Sequence, residues 1–444
     1  MTVLAFMAVP VVSGSFGTEP AAAYAVSDAP DMTATAKVSA GGVNLRQAAD
    51  VSSPILKYLK AGSKVKIHYI LFTDKKSIKK ATRWYYVTAG KKTGYVNARH
   101  IEKIRYKKRD ALTTDALNYR KGPGTGYKVH SSVGYKTEIK LFLKAYGPED
   151  DTLWYKAKVS GKVSYVCGDY VSIIEPLKTP TAKQLKGKSD LAAALLTNPT
   201  RGGGARYVDV LNGDNCSIHF GVNGYLGIST PQGLAFTGKK YYVLYGNYIG
   251  QRIVTYSATG ERLDATKFKF AIGHPNGITW DPETGLCYIF KGHKTRMYTW
   301  NPKTNKFKKT RSPYVASGGA YDKSTKQLYA SSKSQLYVYD GDGSFRLQKI
   351  FERCWPGISH SAQDCGAGGG FLFHGISGKN YRTTNFLDVY RTEDGAYLGS
   401  LKVKLGEIES IVVGNDGYVQ LLINVPGKTD VIFKTPLNVN ELKF

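Results

Sequence analysis

Apolar and polar residues alternate in short stretches over the first third of the chain, as in Lys64-Val65-Lys66-Ile67 and Glu138-Ile139-Lys140-Leu141. A period of two is the signature of strands with one buried face. The stretches recur in order. Residues 36–104 read Asn44-Leu45-Arg46, Pro54-Ile55-Leu56, Gly62-Ser63-Lys64-Val65, Trp84-Tyr85 and Gly94-Tyr95-Val96. Residues 110–174 read Asn118-Tyr119-Arg120, Gly122-Pro123-Gly124-Thr125, Tyr127-Lys128-Val129, Trp154-Tyr155, Ser164-Tyr165-Val166 and Asp169-Tyr170-Val171. Two small barrels follow, each with a core too small to close without large aromatics and tight Gly/Pro turns. Trp84 and Trp154 are expected to begin a strand and to lie partly exposed.

The pattern dissolves over 175–206, where Pro176, Pro180, Pro199 and Gly202-Gly203-Gly204 predict a linker. Ser189 to Leu196 can form one short capped helix that packs on a domain. From 207 to 444 a longer repeat appears. Its lead marks are Gln232-Gly233-Leu234, Asn276-Gly277-Ile278, Ser317-Gly318-Gly319 and Glu409-Ser410-Ile411. The lead Gly233, Gly277 and Gly318 are 44 and 41 positions apart, and Ser410 follows after 92, which leaves room for an irregular unit around Gln363 to Phe373. Each clear lead precedes a turn and an aromatic-rich strand such as Tyr241-Tyr242-Val243-Leu244-Tyr245. Repeats of this length are propeller blades. The fold expected is all-β: two SH3-like barrels and a β-propeller, with five blades and six as the competing count.

The marks of both N-terminal segments resemble bacterial SH3 domains. The second copy carries the more specific string. In the first, Gln47-Ala48-Ala49 replaces the glycine-proline turn and a lysine-rich insertion from Asp74 to Thr82 lengthens a hairpin. The resemblance implies attachment to peptidoglycan or its peptide stems, carried by the aromatics at the motif positions: Trp84, Tyr85, Tyr95, Trp154, Tyr155 and Tyr165. The later strings, with Gly273-His274-Pro275-Asn276 and Glu407-Ile408-Glu409 among them, resemble the five-bladed propellers of helveticin-type bacteriocins, phage receptor-binding proteins and teichoic-acid-associated surface proteins. That resemblance implies recognition of a surface glycopolymer.

Charge and composition agree. The chain has 32 Tyr, 48 Gly and a formal net charge of +28. From Ala36 to Asp110 there are 19 Lys/Arg against 4 Asp/Glu, a local net of +15. Such a field attracts polyanions. No nucleic-acid-binding motif accompanies it, so the partner expected is peptidoglycan or another anionic wall polymer, with a surface glycan or protein as a further contact. Residues 1–25 pair an apolar run with Ala23-Tyr24-Ala25, which reads as a signal peptide of an exported, wall-associated chain without a transmembrane segment. The five cysteines form no C-x-x-C pair, and Cys354 with Cys365 is the one disulfide candidate.

In a propeller, residues opening each inner strand converge on one mouth of the channel. Here these are Gln232, His274, Asn276, Ser317, Gln363 and Glu409, with His374 beside them; amides, hydroxyls and imidazoles suit a polyhydroxylated or phosphorylated ligand. Polar side chains at that position equally pin neighbouring blades. Catalysis is not expected. A glycosidase needs paired carboxylates across the axis, and Glu409 is the clear carboxylate among the leads, with Asp364 the second. No G-x-S-x-G and no H-x-x-x-H spacing occurs, and no cofactor or metal is expected. A secreted glycan-degrading enzyme and a bacteriocin-like factor are the alternatives to a binding protein.

Overall fold

The computed structural model describes residues 32–74, 77–148, 152–201, 204–222, 230–246, 251–268, 272–292, 294–332, 334–354, 360–378, 385–425 and 430–444. The expected signal peptide lies outside them. The chain is almost entirely β and forms two compact units, Met1–Ile173 and Ile174–Phe444.

In the first unit the strands Ala34–Val38, Val43–Arg46, Ile55–Leu59, Lys64–Phe72, Arg83–Ala89 and Lys92–Asn97 are followed by a 3₁₀ turn, Ala98–His100, and a last strand, Ile101–Tyr106. The order repeats element for element: Arg109–Thr113, Leu117–Arg120, Val129–Val133, Glu138–Tyr146, Trp154–Val159, Lys162–Cys167, a 3₁₀ turn at Gly168–Tyr170, and Val171–Ile174. The Asn-x-Arg marks are structural. Arg46 donates to the Ser53 carbonyl at 2.6 Å, and Arg120 donates to the carbonyls of Thr125 at 2.8 Å and Tyr127 at 3.0 Å, so each arginine holds its own turn closed. Gly124, at φ +143, supplies the conformation that this second turn requires. The two long strands pair in parallel, Lys144 opposite Tyr69 and Tyr146 opposite Leu71, and fuse the repeats into one 14-stranded sheet.

The second unit is a five-bladed propeller. Blades 1 to 3 are four-stranded antiparallel sheets spanning 231–267, 275–316 and 318–352. Blade 4 spans 360–403, with Tyr207–Leu211 added in parallel as an outermost strand. Blade 5 spans 407–438 and takes its outer strand, Ser217–Val222, from ahead of blade 1. The inner strands Pro231–Phe236, Pro275–Asp281, Gly318–Asp322, His360–Gly368 and Glu407–Val413 neighbour one another in a closed ring. Residues 175–206, read as a linker, carry helices Ala182–Leu185 and Asp190–Leu196; Ser189 caps the second, and Ala192, Leu195 and Leu196 are buried in the core shared with blades 4 and 5.

Closure of the ring rests on strand Ser217–Val222. Its Phe220 is buried against Tyr241 and Tyr256 of blade 1, with ring centroids 5.3 and 5.7 Å away. Phe220→Ala is expected to lower the stability of the second unit by about 3 kcal/mol, read from urea unfolding. A change under about 1 kcal/mol would show that the ring does not close through this strand.

Candidate functional site

The inner strands carry a shared irregularity. Register shifts occur between Pro231 and Gly233, Pro275 and Gly277, Ala362 and Cys365, and Ile408 and Ser410. The bulged residues are Gln232, Asn276, Gln363 with Asp364, and Glu409. A bulge adds a residue and re-aims its side chain, which is how one polar group per blade is turned toward one mouth of the channel. Blade 3 has no bulge; Ser317, just ahead of its inner strand, takes the corresponding place.

Two of these polar groups are spent on carboxylates of blade 5. Gln232 Nε2 donates to Glu409 Oε2 at 3.0 Å, joining blades 1 and 5. Gln363 Nε2 donates to Glu407 Oε1 at 2.7 Å, joining blades 4 and 5. Gln232, Asn276, Ser317 and Glu409 are buried, Gln363 is half-buried and His274 is exposed. His374 is fully buried. Of the residues read from the sequence as a ligand-binding mouth, His274 alone is fully open to solvent.

Asp364 sits deeper on the axis, 1 % exposed. Its Oδ1 accepts from the Gly319 amide at 3.0 Å, and its Oδ2 accepts from the Ser410 hydroxyl. Ser410 Oγ in turn accepts from the Leu234 amide at 2.9 Å. A Cβ on Gly277 or Gly318 would run into the Asp364 carboxylate, and one on Gly233 would meet Gly277 Cα at 3.1 Å. The lead glycines are thus required by the close approach of backbones and one carboxyl around the axis. Asp364 ties blade 4 to blades 3 and 5 directly and to blade 1 through Ser410, and it lies against Gly277 of blade 2.

Below this plug the channel opens into a recess of about 310 Å³, lined by the downstream ends of all five inner strands. Phe236, Trp280 and Tyr321 contribute aromatic surface, Asn415 and Asn440 amides, and Lys323 and Lys443 exposed cations at its edge. The sequence reading placed the ligand at the opposite mouth and missed this one. Its only local signal was the aromatic end of Ile278-Thr279-Trp280.

Two further expectations are corrected. All five cysteines are free; Cys354 and Cys365 share one buried cluster without a bridge, and burial pushes the Cys354 thiol up to about 12. In the barrels, Trp84, Tyr85, Tyr95, Trp154, Tyr155 and Tyr165 are buried core residues, each 5 % exposed or less. A barrel this small needs its aromatics inside. The tyrosines that do face solvent there are Tyr58, Tyr135 and Tyr170, of which only Tyr170 lies in a quoted motif.

Among the described residues no group of three or more His, Cys, Asp or Glu could hold a metal ion, and no helix is long and apolar enough to cross a membrane. Residues 41–102 match the bacterial SH3 domain family. No curated protein matches the chain by sequence. Among solved structures, a glutaminyl cyclase from Myxococcus xanthus overlaps at 14% identity and a TM-score of 0.38, over 50% of this chain and 96% of its own. Hydrazine synthase from Kuenenia stuttgartiensis overlaps at 11% identity and 0.33, over 45% and 56%. A nidogen/laminin complex does so at 9% and 0.33, over 71% and 85%. Overlaps this loose establish no shared function.

The axial carboxyls give a measurable pH signature. Burial pushes Glu407 up to about 7, Asp430 and Asp388 up to about 6, and Asp364 well above the usual carboxylate range; Glu409 is raised by burial and by the charges of Glu407 and Asp430. Asp and Glu titrate near about 3.9 and 4.3 when unfolded, so the folded chain binds more protons between those values and the raised ones. Stability must fall as pH rises through that window. Asp394 and Asp416, paired with Arg391 and Lys434, are shifted the other way, and their window lies lower. The Tm of the second unit is expected to decline from about pH 4 to about pH 7, with Glu407→Gln flattening the upper end. A Tm that climbs over that range would contradict the assignment.

Proposed function

We propose that the chain is an exported, cell-wall-associated binding protein, in which tandem SH3 barrels hold peptidoglycan and the propeller recognises a unit of an anionic surface glycopolymer. The match of residues 41–102 to the bacterial SH3 family carries the reading, since that family is typical of wall-associated proteins. Residues 110–174 join it as a second barrel through their element-for-element repeat. The leader-like residues 1–25 and the net charge of +28 fit export to a polyanionic surface.

In this reading the propeller's ligand enters the downstream recess. A volume of about 310 Å³ accommodates one sugar or polyol-phosphate unit, at the small end of ligand pockets. Trp280 and Phe236 offer apolar faces, Asn415 and Asn440 hydrogen bonds, and Lys323 and Lys443 charge for a phosphate or carboxylate. Gln232, Asn276, Ser317 and Glu409 then serve to pin the blades. On the barrels, Tyr58, Tyr135 and Tyr170 with the surrounding lysines take over the wall contact first assigned to the buried aromatics. The likeness to helveticin-type and phage receptor-binding propellers belongs to the same reading.

One observation favours the enzyme alternative: Glu407 is only half-buried and holds its proton up to about 7, the range of a general acid. Its neighbour Glu409 lies on the same strand, however, and Gln363 occupies one of its oxygens.

Co-sedimentation of the full chain with purified sacculi tests the proposal, with poly(glycerol phosphate) and uncharged dextran as soluble probes. Sacculi are expected to pellet the protein. Tyr58→Ala with Tyr170→Ala should weaken pelleting several-fold, and Lys323→Gln with Lys443→Gln should weaken only the binding of the phosphate polymer, by about tenfold. Failure to sediment would overturn the wall-binding reading, and turnover of wall glycan abolished by Glu407→Gln would favour the enzyme.

A further inference from the structure

The seam between the two barrels holds two partly buried cations with no acid beside them. Lys156 Nζ donates to Tyr106 Oη at 2.7 Å and lies 4.8 Å from the centre of that ring, which stacks on Phe142 at 5.3 Å. The Arg83 guanidinium lies 5.8 Å from the Phe72 ring centre, and its Nε is buried without a hydrogen-bond partner. The two come from different repeats and meet at one side chain. Lys156 is the cross-strand partner of Tyr165, and the Arg83 charge acts on the Tyr165 hydroxyl.

Among the described residues neither Lys156 nor Arg83 takes part in an ion pair. The titratable groups facing them are Tyr85, Tyr106 and Tyr165, and burial raises all three, so they remain neutral hydroxyls. Burial first, then the Arg83 charge, push Lys156 down to about 8. Two like charges drawn out of water beside aromatic walls cost stability unless an opposite charge completes the group. The barrels could have closed here with apolar side chains; they instead present a planar fork, an ammonium and phenolic donors.

We propose that Arg83 and Lys156 form a binding site for a singly charged carboxylate, such as the free C-terminus of a peptide, with Tyr106 as a neutral donor. The guanidinium fork matches the two oxygens of a carboxylate, and Lys156 adds a point charge from the facing repeat. A single negative charge is favoured over a doubly charged phosphate because Phe72, Phe142 and the tyrosines make dehydration of the second charge expensive. The site requires both repeats, and neither barrel contains it alone.

Isothermal titration of the full chain with N-acetyl-Ala-Ala, its C-terminal amide and inorganic phosphate tests the site. The free acid is expected to bind at least about tenfold more tightly than the amide and more tightly than phosphate. Lys156→Met and Arg83→Gln should each remove about tenfold or more of that affinity, while the Tm of the first unit holds or rises because a dehydrated charge is gone. Equal binding of acid and amide, tighter binding of phosphate, or undiminished binding in the variants would overturn the proposal. Should one variant fail to fold, the other, on the opposite repeat, decides. No sacculi are used, so a failure of the wall-binding reading leaves this result intact.

Discussion

A single buried carboxyl organises the propeller. Asp364 stands where five inner strands crowd the axis, and it is the point through which they are joined. Apolar side chains packed between blades give cohesion without fixing an angle. Hydrogen bonds from the Gly319 amide and the Ser410 hydroxyl to one dehydrated group fix that angle. The cost appears in the raised affinity of Asp364 for its proton, caused by burial. The return is a plug that divides the channel, leaving a self-bonded polar rim above and an open recess below.

Much of the architecture was legible because each repeat is under a local constraint that leaves a mark. The lead glycines recur since no Cβ fits beside Asp364 or beside the neighbouring inner strand. The polar residue ahead of Gly233, Gly277 and Ser410 recurs where a bulge interrupts the inner strand. In the barrels, Arg46 and Arg120 recur because each closes the turn that follows it. The irregular fourth unit was hard to read for the same reason. Its bulge spans both Gln363 and Asp364, and the second carries a role unique in the ring.

Function was less legible, since exposure is not written in a motif. Trp84, Tyr85, Tyr95, Trp154, Tyr155 and Tyr165 sit at recognisable positions because the small barrels need them as core, which is also why they are unavailable to a polymer. Tyr58, Tyr135 and Tyr170 face solvent, and nothing in the residues around Tyr58 and Tyr135 signals it. The recess is assembled from residues as far apart as Phe236 and Lys443, so only the closed ring brings them together. The same holds for Lys156 and Arg83, two ordinary strand residues until the repeats meet.

The origin of strand Ser217–Val222 has a consequence for how the molecule is made. It is synthesised before any blade, yet its partner Asp430–Asn438 belongs to the last. During synthesis from the N-terminus, the barrels can complete themselves while the ring must wait with an unpaired edge. Because the same wait applies to Tyr207–Leu211, which needs Ala396–Val403, premature pairing with another chain is a hazard of the nascent state. Shielding of this edge until the last blade arrives bears on the yield of folded chain, apart from the stability of the finished ring.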